Sequence, residues 1–190
     1  MKFDLAPPTG VGPLLIGMTR DAASSALDSL RDLRAISESD SPGQHVFRPS
    51  GLMIGIECTR NTLQAIQLWR PTAPTDHVVF RDLDVFAHPA REVVERMSEY
   101  TTIEASADEP ASFIAPDLLL SFWRPFAADD EPDEEQGYYF SSVLLAKPGY
   151  YDTPAQVAER LRQGALGEGT ATSRSTSRGD SGDWLDALTL

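Results

Sequence analysis

Apolar residues that recur every three or four positions predict two helices. The first runs from Thr19 to about Arg34, and Thr19 is its expected N-cap because a hydroxyl there can accept a hydrogen bond from a free N–H of the first turn. The second occupies residues 88–100, where Pro89 suits the first turn because an N–H has no partner there. The predicted apolar faces are Ala23, Ala26, Leu27, Leu30 and Leu33 in the first helix and Val93, Met97 and Tyr100 in the second.

Alternating apolar and polar residues predict strands after each helix. After the first helix we expect strands at residues 45–48, 52–59 and 62–70, with a tight turn at Arg60-Asn61. After the second helix we expect them at residues 111–114, 117–123 and 138–146. The connections are short, as antiparallel meanders require.

The two helix-and-strand units resemble each other. The apolar positions of the helices, the run 47–56 against 113–122, and the run 66–71 against 143–148 match in the same order. The last two blocks lie further apart in the second unit, which places an insertion at residues 124–137. Two α+β segments also align loosely through apolar alternation alone, but three ordered blocks favour duplication. We therefore predict an α+β fold of two tandem helix-plus-antiparallel-sheet repeats, residues 1–82 and 83–152.

The C-terminal part differs from both repeats. Thr153-Pro154-Ala155-Gln156 has the spacing of a capping box, which predicts a short helix over residues 153–163. Residues 164–190 have the composition of a disordered tether that ends in an apolar peptide. In that peptide Trp184, Leu185 and Leu188 lie at helical spacing, so it is expected either to dock on its own domain or to bind a partner.

The charge of the chain favours a basic partner. The sequence has 29 Asp and Glu against 16 Lys and Arg, a formal net charge of −13. Nucleic acids bind through Lys and Arg that replace the counterions of the phosphates, so no nucleic acid partner is expected. The same negative field repels anionic membranes and attracts basic proteins. The alternative is that the acid surplus serves solubility alone.

Cysteine content and hydropathy predict a soluble, cytoplasmic protein. Cys58 is the only cysteine, so no intramolecular disulfide can form, and a lone thiol favours a reducing compartment. Residues 1–8 reach a Pro-Pro pair without the apolar stretch of a signal peptide. No run approaches the roughly 18 apolar residues of a membrane span.

The sequence contains no pattern typical of a catalytic, cofactor or metal site. Cys58 could act as a nucleophile only if His45, His77 or His88 approached it, and strand alternation places its side chain with the core. The three histidines lie on different predicted elements without zinc-ligand spacing. Gly10-Val11-Gly12 lacks the pattern and the lysine of a phosphate-binding loop. We therefore predict no enzyme and no cofactor.

The insertion carries the strongest candidate for a binding surface. Six of the seven residues at 129–135 are acidic, without the ligand spacing of a calcium loop. The run is either a solvated hairpin tip or an acidic prong that binds a basic protein surface, with neighbouring aromatic rings as the apolar part. Core packing is the expected use of Trp69 and Trp123. The predicted partner-binding residues are Phe126, Asp129, Asp130, Glu131, Asp133, Glu134, Glu135 and Tyr138 in the insertion and Trp184, Leu185 and Leu188 in the C-terminal peptide.

The stretch Ile16-Gly17-Met18-Thr19-Arg20 resembles the helix start of β-lactamase-inhibitory-protein-like domains, a signature shared by outer-membrane-assembly lipoproteins of the SmpA/OmlA type. The resemblance implies helices on an antiparallel sheet, often duplicated in tandem, and function through protein binding. This chain lacks the secretion signal, lipobox and paired cysteines of those lipoproteins, and its second helix begins Ala87-His88-Pro89. Only the binding scaffold is therefore expected to apply.

Together these features predict a noncatalytic, cytosolic protein-binding module of bacterial type. Its sharpest form is an immunity or inhibitor protein for a basic toxin or enzyme. One alternative is an adaptor that recruits a partner through residues 184–188. The other is a small-molecule-binding or enzymatic domain with a pocket between the repeats.

Overall fold

The computed structural model describes residues 1–30, 33–35, 44–47, 50–106 and 111–150. Within these ranges the chain forms thirteen short strands, three α-helices and one 3₁₀ turn, which confirms the α+β class. The elements of the first part are β1 (Lys2–Ala6), β2 (Gly10–Val11), β3 (Leu14–Leu15), α1 (Arg20–Asp28), β4 (Leu33–Ala35), β5 (Gln44–Phe47), β6 (Met53–Thr59) and β7 (Thr62–Trp69). They are followed by β8 (His77–Phe80), β9 (Leu83–Asp84), α2 (Ala90–Ser98), β10 (Glu104–Ala105), β11 (Phe113–Ala115), the 3₁₀ turn Pro116–Leu118, β12 (Leu120–Trp123), α3 (Glu135–Tyr138) and β13 (Ser142–Ala146).

The larger sheet has eight antiparallel strands in the order β10-β11-β12-β13-β7-β6-β5-β4. The strands that follow α1 form one meander, and the strands that follow α2 form another. The meanders meet where β7 pairs with β13, with Trp69 opposite Ser142 and Ala65 opposite Ala146. The strand order is therefore arranged symmetrically about the β7–β13 pair.

The smaller sheet has five strands in the order β3-β2-β1-β8-β9. Its only parallel pair is β1 with β8, in which Phe3 lies opposite Val78. The sequence did not predict β1, β8 or β9, because a strand of two to five residues is too short to show a clear alternation. The hairpin of β8 and β9 spans the predicted boundary between residues 82 and 83.

The inner face of the eight-stranded sheet carries the core. Residues opposite one another on adjacent strands share a face, so each register row contributes one side chain per strand. One buried row is Ile54, Leu68, Val143 and Phe122, and the next includes Ile66, Leu145 and Leu120. Leu27 of α1 and Met97 of α2 belong to the same cluster. Burial contributes about 1.5–3 kcal/mol for each such side chain, so this face holds the meanders and both helices together.

Helix α1 begins as predicted and ends earlier than predicted. The Thr19 hydroxyl accepts a hydrogen bond from the Ala22 N–H at 3.2 Å, which confirms the N-cap. The prediction that the helix runs to about Arg34 is wrong, because α1 stops at Asp28 and Leu33–Ala35 form β4. Leu33 pairs with Phe47 across β4 and β5, and these ladder bonds outweigh the helical spacing of the apolar residues.

Helix α2 buries Val93 and Met97 as predicted, but Tyr100 is not on its apolar face. Tyr100 is 49% exposed and follows the C-cap. Its ring makes an edge contact with Phe80, and the Arg81 guanidinium lies 4.3 Å from the ring centroid.

Two predicted strands are shorter than expected. The run 117–123 begins with the 3₁₀ turn and a left-handed Leu119 (φ 57°), so β12 starts only at Leu120. The run 138–146 begins in α3 and pairs only over Ser142–Ala146. The turn at Arg60-Asn61 is confirmed, since both residues have the positive φ that a two-residue hairpin turn requires. The predictions for residues 153–163 and 164–190 lie outside the described residues.

Candidate functional site

Arg124 anchors the start of the acidic segment, which we define as residues 129–135. Its side chain is only 3% exposed, and Nη1 donates to Asp129 Oδ1 at 2.7 Å and to the Gly137 carbonyl at 2.5 Å. These two bonds close the loop between β12 and α3. A charged hydrogen bond is roughly twice as strong as a neutral one, so Arg124 holds the two ends of this loop together.

Two further arginines reach the segment from other elements. Arg91 of α2 lies 3.2 Å from Asp130 and 3.8 Å from Asp129. Arg70, directly after β7, contacts Glu135 at 3.1 Å. The segment is exposed from Asp130 to Glu135, as a solvated tip would be, but half of its carboxylates are paired with arginines of the body and its end is helical.

The other three carboxylates of the segment are Glu131, Asp133 and Glu134. Their residues are exposed, and none forms an ion pair with another residue of the described ranges. Their backbone is nevertheless fixed by turn bonds, from the Glu131 N–H to the Ala128 carbonyl at 3.1 Å and from the Glu134 N–H to the Glu131 carbonyl at 2.9 Å. The segment thus presents three negative charges that no described residue pairs with, on a backbone held by turn hydrogen bonds.

Aromatic residues precede and follow the acidic segment along the chain. Phe126 is 43% exposed and packs on Gly137, where a Cβ would lie 2.4 Å from its ring. Trp123 is 41% exposed, so the expectation that it packs in the core is wrong. Phe122 occupies the inward position of β12, and alternation along the strand sends Trp123 to the outer face. Tyr138 is half-buried in an edge contact with Tyr139, with ring centroids 5.0 Å apart.

Trp69 lies on the same outer face as Trp123. Both residues are opposite Ser142, one on β7 and the other on β12. Trp69 is half-buried, so it too is not a core residue. We call the exposed set Trp123, Phe126, Glu131, Asp133 and Glu134 the acidic–aromatic surface.

A pocket of about 340 Å³ opens next to this surface. The chain between β7 and β8, the residues after β9, and the end of the acidic segment form its walls. Its lining residues are Arg70, Pro71, Thr72, Pro74, Asp76, His77, Asp84, Phe86, Ala87, Glu135 and Tyr139. The pocket thus lies near the junction of the two predicted repeats, where the alternative of a small-molecule site places one.

Hydrogen bonds fix the polar groups of the pocket. His77 Nδ1 lies 2.7 Å from Asp84 Oδ2, and Asp84 Oδ1 accepts the Phe86 N–H at 3.1 Å. Arg70 Nε donates to the Phe86 carbonyl at 3.3 Å, and the guanidinium lies 4.1 Å from the centroid of the Tyr139 ring. Asp76 is 9% exposed and pairs with the amino group of Met1.

Cys58 is half-buried and packs against the core, on the side that strand alternation predicted. The register shifts between Glu57 and Cys58, a bulge that alternation alone does not predict. His77 pairs with Asp84, and His88 pairs with Glu92 at 2.9 Å. Across the described ranges no group of three or more His, Cys, Asp or Glu side chains is placed to hold a metal ion.

The acidic segment is evident in the sequence, but the three arginines that pair with it are not. Arg70, Arg91 and Arg124 come from separate elements, and their pairing depends on a tertiary arrangement that spacing does not reveal. Only Arg124 left a signal, since an arginine between an aromatic strand and an acidic run is well placed to close the loop. Trp184, Leu185 and Leu188 lie outside the described residues.

None of the described helices is long and apolar enough to cross a membrane. Comparison of the chain with protein-family models, curated proteins and solved structures gave no significant match.

Proposed function

We propose that this chain is a noncatalytic protein-binding module that binds a basic protein through its acidic–aromatic surface. The main support for this proposal is that half of the carboxylates in the acidic segment are paired with arginines and half are not. Asp129, Asp130 and Glu135 are paired with arginines, whereas Glu131, Asp133 and Glu134 are exposed and have no ion-pair partner among the described residues. The exposed ring of Phe126 packs on Gly137, two residues after the segment. Exposed aromatic rings bordered by charges are typical of transient protein interfaces.

The charges would act mainly on the rate of association. A surface that carries unpaired carboxylates on a chain of net charge −13 steers a basic partner into encounter. The aromatic rings would then supply the buried area that slows dissociation. Because the buried Arg124 and the turn hydrogen bonds already hold the backbone of the segment, little conformational entropy is lost when the partner binds.

We also propose that the scaffold of this module is a tandem repeat, with repeats at residues 1–82 and 83–152. The supporting observation is that each main helix is followed by a four-stranded meander and that the two meanders meet symmetrically at β7 and β13. The inserted acidic segment breaks this symmetry, since it interrupts only the second meander. A function carried by the insertion is therefore specific to one half of a duplicated scaffold.

The most specific form of the proposal is an immunity or inhibitor protein that neutralises a basic toxin or enzyme in the bacterial cytoplasm. A row of fixed carboxylates can occupy a cationic surface that would otherwise bind a polyanion. The adaptor alternative, recruitment through residues 184–188, predicts that deleting residues 183–190 abolishes partner binding. The acidic–aromatic surface predicts that this deletion leaves affinity within about twofold.

The test compares two variants with equal charge change. Glu131→Gln/Asp133→Asn/Glu134→Gln neutralises the acidic–aromatic surface, and Asp21→Asn/Asp28→Asn/Asp117→Asn neutralises three exposed acids elsewhere. Binding to basic proteins encoded beside the gene for this chain is measured by biolayer interferometry at low and high salt. We expect the first variant to lose at least tenfold in affinity at low salt and the second less than threefold. Equal losses, or binding insensitive to salt, would contradict the proposal.

A further inference from the structure

The pocket beside the acidic–aromatic surface has the size of a recognition site. Its volume of about 340 Å³ falls within the range of about 300–1,000 Å³ that is usual for ligand pockets. Phe86, only 3% exposed, forms part of its wall together with Tyr139. Pro71 and Pro74 restrict the backbone on the side between β7 and β8. The pocket is therefore pre-formed and partly apolar.

Carboxylates outnumber the permanently charged cations of the pocket by one. Asp76, Asp84 and Glu135 line it, against the guanidinium of Arg70 and the ammonium of Met1 that pairs with Asp76, while the imidazole of His77 contacts Asp84. The charge of Arg70 is already engaged, by the ion pair with Glu135 at 3.1 Å and by the Tyr139 ring 4.1 Å away. The exposed carboxylates Glu131, Asp133 and Glu134 precede the lining residue Glu135 and make the electrostatic potential there more negative. This balance favours a cationic group over an anion.

Two of the carboxylates are held in place before anything binds. Asp84 accepts from the Phe86 N–H and contacts His77, so both of its oxygens are oriented. Asp76 is nearly buried and is paired with the amino group of Met1. Groups fixed in this way need no reordering when a ligand enters, which raises the affinity available from a small contact.

We propose that this pocket receives an arginine side chain of the basic protein partner. The inference rests on the proposed function, and it assigns to the pocket the role of an anchor next to the acidic–aromatic surface. A guanidinium group can donate several hydrogen bonds to carboxylates while its flat face lies on an aromatic ring. Arginine side chains that fill pockets are frequent hot spots of protein interfaces.

The test uses three small probes and NMR of the full chain. N-acetyl-arginine amide is titrated against N-acetyl-citrulline amide, its neutral isostere, and against N-acetyl-aspartate amide. We expect saturable shifts of the Phe86, Ala87 and Tyr139 amides with the arginine probe, and at least tenfold weaker binding of the other two. Ala87→Trp, which fills the mouth without changing a charge, should abolish the shifts, and Ala22→Trp on the exposed face of α1 should not.

Equal binding of arginine and citrulline probes, or preferential binding of the aspartate probe, would overturn the assignment. Ala87→Trp should also weaken the partner complex at least tenfold, and an unchanged complex would overturn it equally. The proposed function fails separately, when neutralising Glu131, Asp133 and Glu134 leaves partner affinity unchanged. The two proposals are therefore distinguishable, because one depends on the pocket and the other on the surface beside it.

Discussion

At the scale of single residues, Arg124 and Arg91 bind the same carboxylate from very different environments. The side chain of Arg124 is 3% exposed and contacts Asp129 at 2.7 Å, whereas that of Arg91 is 61% exposed and lies 3.8 Å from it. Removal of the Arg124 side chain takes away a charged hydrogen bond from Asp129 and one from the buried Gly137 carbonyl, which keeps only the bond from the Ala128 N–H at 3.1 Å. An exposed pair is screened and contributes little.

We therefore expect Arg124→Met to lower the free energy of unfolding by about 1–3 kcal/mol, because it removes two hydrogen bonds made by a charged donor. Arg91→Met is the matched control and should cost less than about 1 kcal/mol, as exposed ion pairs do. Urea denaturation measures both. Similar losses in the two variants would show that burial of Arg124 does not set the strength of the anchor.

Neighbouring residues of β12 give a second prediction at this scale. Phe122 is fully buried and Trp123 is 41% exposed. Phe122→Ala should cost about 3–5 kcal/mol in the free energy of unfolding, because it leaves a cavity in the core. Trp123→Ala should cost under about 1 kcal/mol in folding, as surface changes do, and should instead weaken partner binding. Denaturation combined with interferometry would contradict this division if Trp123→Ala mainly destabilised the fold.

Among the elements, the start of α1 was easier to predict from the sequence than its end, whereas α2 is two residues shorter than predicted at both ends. Thr19 caps α1 through its own side chain, a local interaction that the sequence displays directly. The end of α1 depends on Leu33 pairing with Phe47, a partner fourteen positions away whose position only the sheet defines. The residues that line the pocket were missed for the same reason: Arg70, Asp84 and Glu135 meet only once the sheets are assembled.

The cap of α1 is expected to contribute measurable stability. Thr19→Ala should lower the free energy of unfolding by about 1 kcal/mol, within the range of about 0.5–2 kcal/mol for lost N-caps. Ser25→Ala, on the exposed face of the same helix, keeps the cap and should be neutral or slightly stabilising because alanine favours helix. Circular dichroism melts of both variants decide this, and a loss in Ser25→Ala as large as that in Thr19→Ala would contradict the role of the cap.

In the molecule as a whole, the β7–β13 pair joins the two meanders into one eight-stranded sheet. Leu68 and Val143 lie opposite each other across this pair and are both buried. Residues on either side of it belong to one core cluster that also includes α1 and α2. The proposed repeats therefore share their hydrophobic core, and neither meander buries its inner face alone.

Substitutions in either meander should consequently lower the midpoint temperature of one shared unfolding transition. Leu68→Ala in β7 and Leu120→Ala in β12 should each lower the free energy of unfolding by about 2–5 kcal/mol, as for other buried leucines. Scanning calorimetry is expected to show a single transition that moves to lower temperature in both variants. A second transition that only one of the substitutions affects would mean that the meanders unfold independently.

Carbodiimide labelling of carboxylates in the free and bound protein tests whether the acidic segment is the contact surface for a basic partner. Mass spectrometry reads the labelling of each acidic residue. We expect the partner to protect Glu131, Asp133 and Glu134 and to leave Asp21, Asp28 and Asp117, which are exposed on other elements, labelled as in the free protein. Unchanged labelling of the acidic segment in a formed complex would contradict the claim.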